Sequence, residues 1–272
     1  MTVNFESAEL QYKQILEDFF VSVYDEKSLP SHGIEHHRRV WNYARELVIL
    51  LDKHQFLTDH KIIHKLIIAC YLHDIGMSVD SGIKHGIHSR NLCARFLTKN
   101  SIPVIDYQDL LEAVENHDNK EYTSSANKSD LLTILSVADD LDAFGFIGIY
   151  RYSEIYLARR INLKEIGIYI KENASRRFNN FERIFGFDEE IVRKHKIRYE
   201  ILDNFFSEYN NQAETYKFEG THPAGYCGVI ELLDDQVHHK GVLNDTGTLL
   251  KKYSNDPVIH WYFSELELES KN

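Results

Sequence analysis

Several things are scarce in this chain, and each scarcity closes off a class of protein. Only three cysteines occur, Cys70, Cys93 and Cys227. Odd in number, far apart and outside any CxxC arrangement, they offer no disulfide framework and suit buried thiols in a reducing compartment. Four prolines and thirteen glycines in 272 residues leave room for long helices. No run of about eighteen apolar residues occurs, which argues against a membrane span. The N-terminus, Met1-Thr2-Val3-Asn4-Phe5-Glu6-Ser7, lacks the basic and apolar regions of a secretory signal. A cytoplasmic location is therefore expected. Basic side chains are the minority, 31 Lys and Arg against 42 Asp and Glu, for a formal net charge of −11. A nonspecific grip on a phosphate backbone needs clustered Lys and Arg, so no nucleic-acid polymer is expected as a partner. A small phosphorylated molecule stays compatible, because a metal ion neutralises it locally.

What the chain has in quantity is helical periodicity. A hydrophobic share of 43% with a charged share of 27% is ordinary for a folded globular protein. Apolar positions repeat with a helical period over residues 7–25, 34–54, 59–75, 86–99, 106–118 and 129–143, and two further stretches cover 152–180 and 188–217. Turn chemistry separates them at Leu29-Pro30-Ser31, Gly76 to Gly82, Ser101-Ile102-Pro103 and Asn119 to Asn127. An all-α helical body over residues 1–219 is predicted, with its core at 31–151. Residues 220–272 are richer in turn formers, as in Gly220-Thr221-His222-Pro223-Ala224-Gly225 and Asn244-Asp245-Thr246-Gly247. A loop-rich tail packed on the body is expected there, with a partner contact, and hence a homodimer, as the other option.

Onto this scaffold the sequence hangs metal-capable groups at core-facing positions. The apolar helix running from Lys65 ends in Leu72-His73-Asp74-Ile75-Gly76. An adjacent His and carboxylate there present one imidazole nitrogen and two oxygens to the same point. Upstream, His36 continues the stripe of Val40, Trp41, Ala44, Leu47, Val48 and Leu51. Downstream, Asp139 shares a face with Leu132 and Leu135, and a carboxylate on an apolar face is costly unless paired or metal-bound. His117 shares a face with Leu110 and Ala113, and His85 and His88 share one with Leu92 and Phe96.

At these residues the chain resembles the HD superfamily of metal-dependent phosphohydrolases, whose signature is one His, a His-Asp pair and a distant Asp. The matching segments are His36-His37-Arg38-Arg39-Val40, Leu72-His73-Asp74-Ile75-Gly76 and Val137-Ala138-Asp139-Asp140-Leu141-Asp142-Ala143. The continuation from Phe144 to Arg151 looks like the bacterial branch of stand-alone HD hydrolases, and the resemblance covers about residues 31–151. It implies an HD-domain helical bundle in which His36, His73, Asp74 and Asp139 hold a first divalent cation. Asp74 would bridge to a second one held by His85 and His117, with His88 the alternative to His85. It also implies a phosphomonoester or phosphodiester substrate, with a nucleotide first in line and His73 and Asp74 at the centre of the chemistry. Arg39, Lys84, Lys120 and Arg151 are the cations available to offset developing charge. His37 reads as a supporting or surface residue, His32 as part of a loop that approaches substrate. Of Asp140 and Asp142, one orients a ligand His and the other is solvated.

Two departures narrow the activity. Ile75-Gly76-Met77-Ser78 stands where alarmone hydrolases carry a Glu-Asp pair. Met77 replaces the Lys that follows His-Asp-Ile-Gly in the cyclic dinucleotide phosphodiesterases, and no Gly-Tyr-Pro occurs. Two other functions share the same donors, a mixed-valent di-iron oxygenase and a non-catalytic nucleotide-binding sensor. Imidazole and carboxylate donors suit Mn, Fe, Ni, Co, Zn or Mg to different degrees, so one or two divalent ions are expected without a fixed identity.

Overall fold

The computed structural model describes residues 4–24, 29–57, 59–80, 82, 84–119, 127–218, 222–240 and 246–271. It is all-α, with no strand among the described residues. The chain divides into two compact units: residues 1–28 with 32–142, and residues 29–31 with 143–272.

The first unit contains α1 (Phe5–Val23), α2 (Ile34–Lys53), α3 (Ile62–Leu72), α4 (His85–Lys99), α5 (Gln108–Asn116) and α6 (Leu131–Asp142), with 3₁₀ turns at Ile75–Ser78 and Val104–Tyr107. The predicted stripe of α2 faces inward: Val40, Trp41, Ala44, Leu47, Val48 and Leu51 are all buried. α3 is buried from Leu66 through Leu72 without a polar face, as befits a helix enclosed by α1, α2, α5 and α6. α6 buries every residue except Leu132. Each fully buried Leu or Ile contributes roughly 1.5–3 kcal/mol, so these two central helices are the rigid part on which polar side chains can be held at their ends.

The second unit contains α7 (Gly145–Ala158), α8 (Leu163–Phe185), α9 (Glu189–Ala213), α10 (Gly225–Asp235), α11 (Thr246–Lys252) and α12 (Pro257–Lys271), with a π-helical turn at Gln236–Lys240. Capping explains where its helices start. Asn162 accepts from Lys164 N at 2.9 Å, and Asp188 accepts from Glu190 N and Ile191 N. α7 has no cap of its own, and Glu269 of α12 accepts from Phe146 N at 2.6 Å and Ile147 N at 3.1 Å instead. Buried Glu154 accepts from Ser31 N at 2.9 Å, which accounts for residues 29–31 counting with this unit.

Two expectations are corrected. The single helix predicted over 152–180 is two helices, because Arg160 adopts a left-handed φ of 57° and Asn162 caps a new start. The loop-rich tail predicted over 220–272 is helical over 225–240, 246–252 and 257–271; Gly220, Thr221, Asn244 and Asp245 lie outside the described residues. The turn formers mark helix ends rather than loops. Gly225, at φ 63°, opens α10 and donates its N–H to Asp256, while the same carboxylate caps α12 through Val258 N and Ile259 N. The division into compact units falls between Asp142 and Ala143, and within the second unit α10 and α12 pack on α7.

Candidate metal centre

Helix ends of the first unit carry the polar side chains inward. His36 lies in the first turn of α2, His73 is the C-cap of α3, and Asp74 opens the following 3₁₀ turn. His85 is the first residue of α4, His117 is the C-cap of α5, and Asp139 lies one turn before the end of α6. All six are buried. They form two groups, His36 with His73, Asp74 and Asp139, and Asp74 with His85 and His117, each with donor atoms within 4.8 Å of one another.

Asp74 belongs to both groups through different oxygens. Its Oδ2 lies 3.5 Å from His36 Nε2 and 3.3 Å from His73 Nε2, and Asp139 Oδ1 lies 3.7 and 3.8 Å from the same two nitrogens. Its Oδ1 lies 3.0 Å from His117 Nε2 and 3.4 Å from His85 Nε2. Bonds of about 2.1 Å would set neighbouring donors about 3.0 Å apart at right angles and about 3.4 Å apart at tetrahedral angles, so the Asp74 spacings fit donors of a common ion while those of Asp139 are somewhat wider.

The imidazoles are oriented for that role. A carbonyl only accepts, so Nδ1 of His73 donates to Cys70 O at 3.0 Å, Nδ1 of His85 to Gly82 O at 2.8 Å and Nδ1 of His117 to Val114 O at 2.8 Å. His36 Nδ1 meets Asp142 Oδ2 at 2.7 Å. With Nδ1 committed in every ring, all four present Nε2 to the centre. The Nε2 atoms of His36 and His73 then face each other at 3.2 Å. Two lone pairs at that distance repel, so the pair calls for positive charge, supplied either by a proton on one Nε2 or by a cation between them. The donor set fits a cation by its own chemistry.

The electrostatics agree. Burial opposes a charge on His73, yet Asp74 and Asp139 overcome it and raise the imidazole to about 10. Burial alone would raise Asp74, but His73 and His117 hold it well below the ordinary carboxylate range. His37 is the opposite case, driven well below the usual imidazole range by burial and by neighbouring His36 and His73.

The remaining candidates separate clearly. His85, not the half-buried His88, reaches Asp74. His32 is buried in the 3₁₀ turn Pro30–His32 with Nε2 3.9 Å from Asp74 Oδ2, so it borders the cluster rather than sitting in an open loop. His37 is fully buried and meets Cys70 O at 3.1 Å, the carbonyl that also holds His73. Asp140, predicted to be solvated if Asp142 orients a ligand, is fully buried because α6 has almost no exposed side. Arg39, predicted to meet substrate charge, grips Asp142 with Nε at 2.7 Å and Nη2 at 3.1 Å. Lys84 is exposed, Arg151 is buried in the second unit, and Lys120 lies outside the described residues.

Two glycines of the site escaped the sequence reading. A Cβ on Gly76 would stand 2.2 Å from His85 O, and one on Gly86 would stand 2.3 Å from Glu115 O. These contacts let the turn after Asp74 close onto α4, and α4 onto α5, which brings His85 and His117 to one carboxylate oxygen. Gly76 N also donates to Ser89 Oγ at 2.8 Å. The signal was present as a glycine beside each of two candidate donors.

Residues 33–143 match the family model described as HD domain. Among curated proteins and solved structures, none matches the chain. The matched segment starts at the N-cap of α2 and ends one residue after α6, so it encloses all six clustered side chains.

Proposed function

From the premise that the chain is a member of the HD superfamily through residues 33–143, we propose that it is a metal-dependent phosphohydrolase of a small phosphorylated metabolite, a nucleotide first among them. The observation that carries this reading is Asp74, whose two oxygens each face a separate pair of Nε2 atoms. His36, His73, Asp74 and Asp139 would hold a first divalent cation, and Asp74, His85 and His117 a second. A bound divalent cation supplies a Lewis acid for a phosphoryl oxygen and lowers the pKa of water toward neutrality.

The chain's own contribution is orientation and exclusion of bulk water. Each Nδ1 proton is tied down away from the centre, so each imidazole in its neutral form turns an Nε2 lone pair, not an N–H, to the centre. Asp74 is shared by the two groups and His73 faces it through Nε2, and these are the residues most directly involved in the reaction. The acidic balance of −11 supports a small substrate over a nucleic-acid polymer. Cys70, Cys93 and Cys227 are free and buried, which supports a reducing compartment such as the cytoplasm. No described helix is long and apolar enough to cross a membrane.

The test is metal analysis of aerobically and anaerobically purified protein, followed by phosphate release from a panel of nucleotides and other phosphoesters with each metal restored. Release that depends on added metal and is lost in Asp74→Ala supports the proposal. No release from any phosphoester, in a protein whose Asp74→Ala variant binds equal metal, removes it. Oxygen consumption with tightly bound iron and no phosphate release would favour an oxygenase, since the donor set is shared.

A further inference from the structure

Asp142 and Arg39 take no part in either donor group, yet together they reach the imidazole of His36, whose Nδ1 meets a carboxylate on another helix. Asp142 is fully buried three residues beyond Asp139 on α6. Its Oδ2 lies 2.7 Å from His36 Nδ1, and Arg39, one turn after His36 on α2, closes on both carboxylate oxygens. The three side chains form a relay in which each of these contacts has one sensible direction. The guanidinium only donates, so it holds Asp142 as an acceptor. An acceptor at Asp142 requires the proton of a neutral His36 to sit on Nδ1, and the lone pair is then on Nε2, facing His73, Asp74 and Asp139.

We propose that Asp142, locked by Arg39, is the positioning residue that sets the tautomer of His36 for cation binding, and that Arg39 acts through it rather than on the substrate. The inference deepens the metal-dependent reading above and rests on it for the consequence, but its first measurement needs no metal. In Asp142→Asn the shorter guanidinium contact, Nε to the Oδ1 position at 2.7 Å, keeps the amide oxygen, which turns the amide NH₂ toward His36 Nδ1 at the cost of the longer Nη2 contact. His36 then places its proton on Nε2 and loses the lone pair that faces the centre.

The experiment combines nitrogen-15 NMR of the imidazole rings in metal-free protein with Mn²⁺ titration of wild type, Asp142→Asn and Arg39→Gln. Arg39 is partly exposed, 23% in its side chain, so Arg39→Gln stays informative where Asp142→Asn fails to fold. The expected result is an Nδ1–H His36 in wild type, an appreciable Nε2–H population in Asp142→Asn, a smaller one in Arg39→Gln, whose unlocked carboxylate is free to turn away from Nδ1, and about 10- to 100-fold weaker Mn²⁺ binding in Asp142→Asn. His117, whose Nδ1 is tied to Val114 O, should keep its wild-type tautomer in all three proteins and serves as the internal control. A His36 that keeps its wild-type tautomer in the folded variants, or wild-type Mn²⁺ affinity in Asp142→Asn, overturns the proposal. An Arg39→Gln enzyme with a raised KM and unchanged Mn²⁺ affinity overturns it too, in favour of a substrate contact. Should wild type bind no cation, the proposed function falls while the NMR arm still decides whether Asp142 sets His36.

Discussion

The two sides of Asp74 are built by different means. His73, His85 and His117 each donate Nδ1–H to the carbonyl three residues earlier in their own turn, at Cys70, Gly82 and Val114. His36 reaches across to Asp142, 106 residues away. A ring held by its own turn is oriented as soon as the local backbone forms. A ring held by a remote carboxylate is oriented only when α2 and α6 are packed together. The Oδ1 side, with His85 and His117, is thus locally specified in orientation, and the Oδ2 side depends on tertiary packing through His36.

The comparison can be broken most severely at its shared member. Asp74→Ala removes an oxygen from both groups, and activity is expected to fall by about 10³-fold or more, since several kcal/mol of charge stabilisation go with it. Metal content and phosphate release measured together check this, and loss of only one cation would contradict a shared carboxylate.

Proton linkage is the next effect in size. His73 is raised from 6.5 to about 10 in the cation-free molecule, so a bound cation must displace a proton throughout that window. Affinity is expected to climb about tenfold per pH unit between them. The stability of metal-free protein should run the other way. A raised imidazole contributes fully below 6.5, and the contribution is lost as pH rises toward about 10. Calorimetry in buffers of different ionisation enthalpy counts the proton, and an affinity that is flat across this window would refute the assignment.

The Oδ1 side is sharpened by Gly86→Ala. The added Cβ meets Glu115 O at 2.3 Å, and overpacking of this kind costs about 1–3 kcal/mol. Because the strain falls between His85 and His117, the second cation should be lost while the first is retained. Metal stoichiometry beside thermal unfolding reads this directly, and equal loss of both cations would show that the two sides are not separable. The smallest effect is expected from Ser136→Ala. Its hydroxyl donates to His117 O at 2.8 Å, so stability should drop by about 1 kcal/mol. The tautomer of His117, set by Val114, should not change in its NMR spectrum.

Much of the fold was legible because periodicity reports which face of a helix is buried. Val40, Trp41, Ala44, Leu47, Val48 and Leu51 on α2 and Leu66 through Leu72 on α3 are inside as their spacing demanded. His36, His73, Asp74, His85, His117 and Asp139 could likewise be recognised as polar groups on apolar stripes, and all six lie in one buried cluster. Spacing did not reveal what Arg39 and Asp140 do. A charge on a helix reads as solvated or substrate-facing until the neighbouring helix is known, and α6 turned out to be enclosed on nearly every side. The turn formers of 220–272 misled for a related reason: Gly225 and Asp256 are at helix starts, where they cap rather than interrupt.

Read alone, the order of side chains along this chain was enough to establish helices, their inward faces and the identity of the metal-capable groups, because those depend on spacing within a turn or two. Which oxygen of Asp74 faces which imidazoles, the choice of His85 over His88, and the commitment of Arg39 to Asp142 were decided only by packing. Each depends on the relative placement of helices far apart in the chain, which short-range periodicity does not encode.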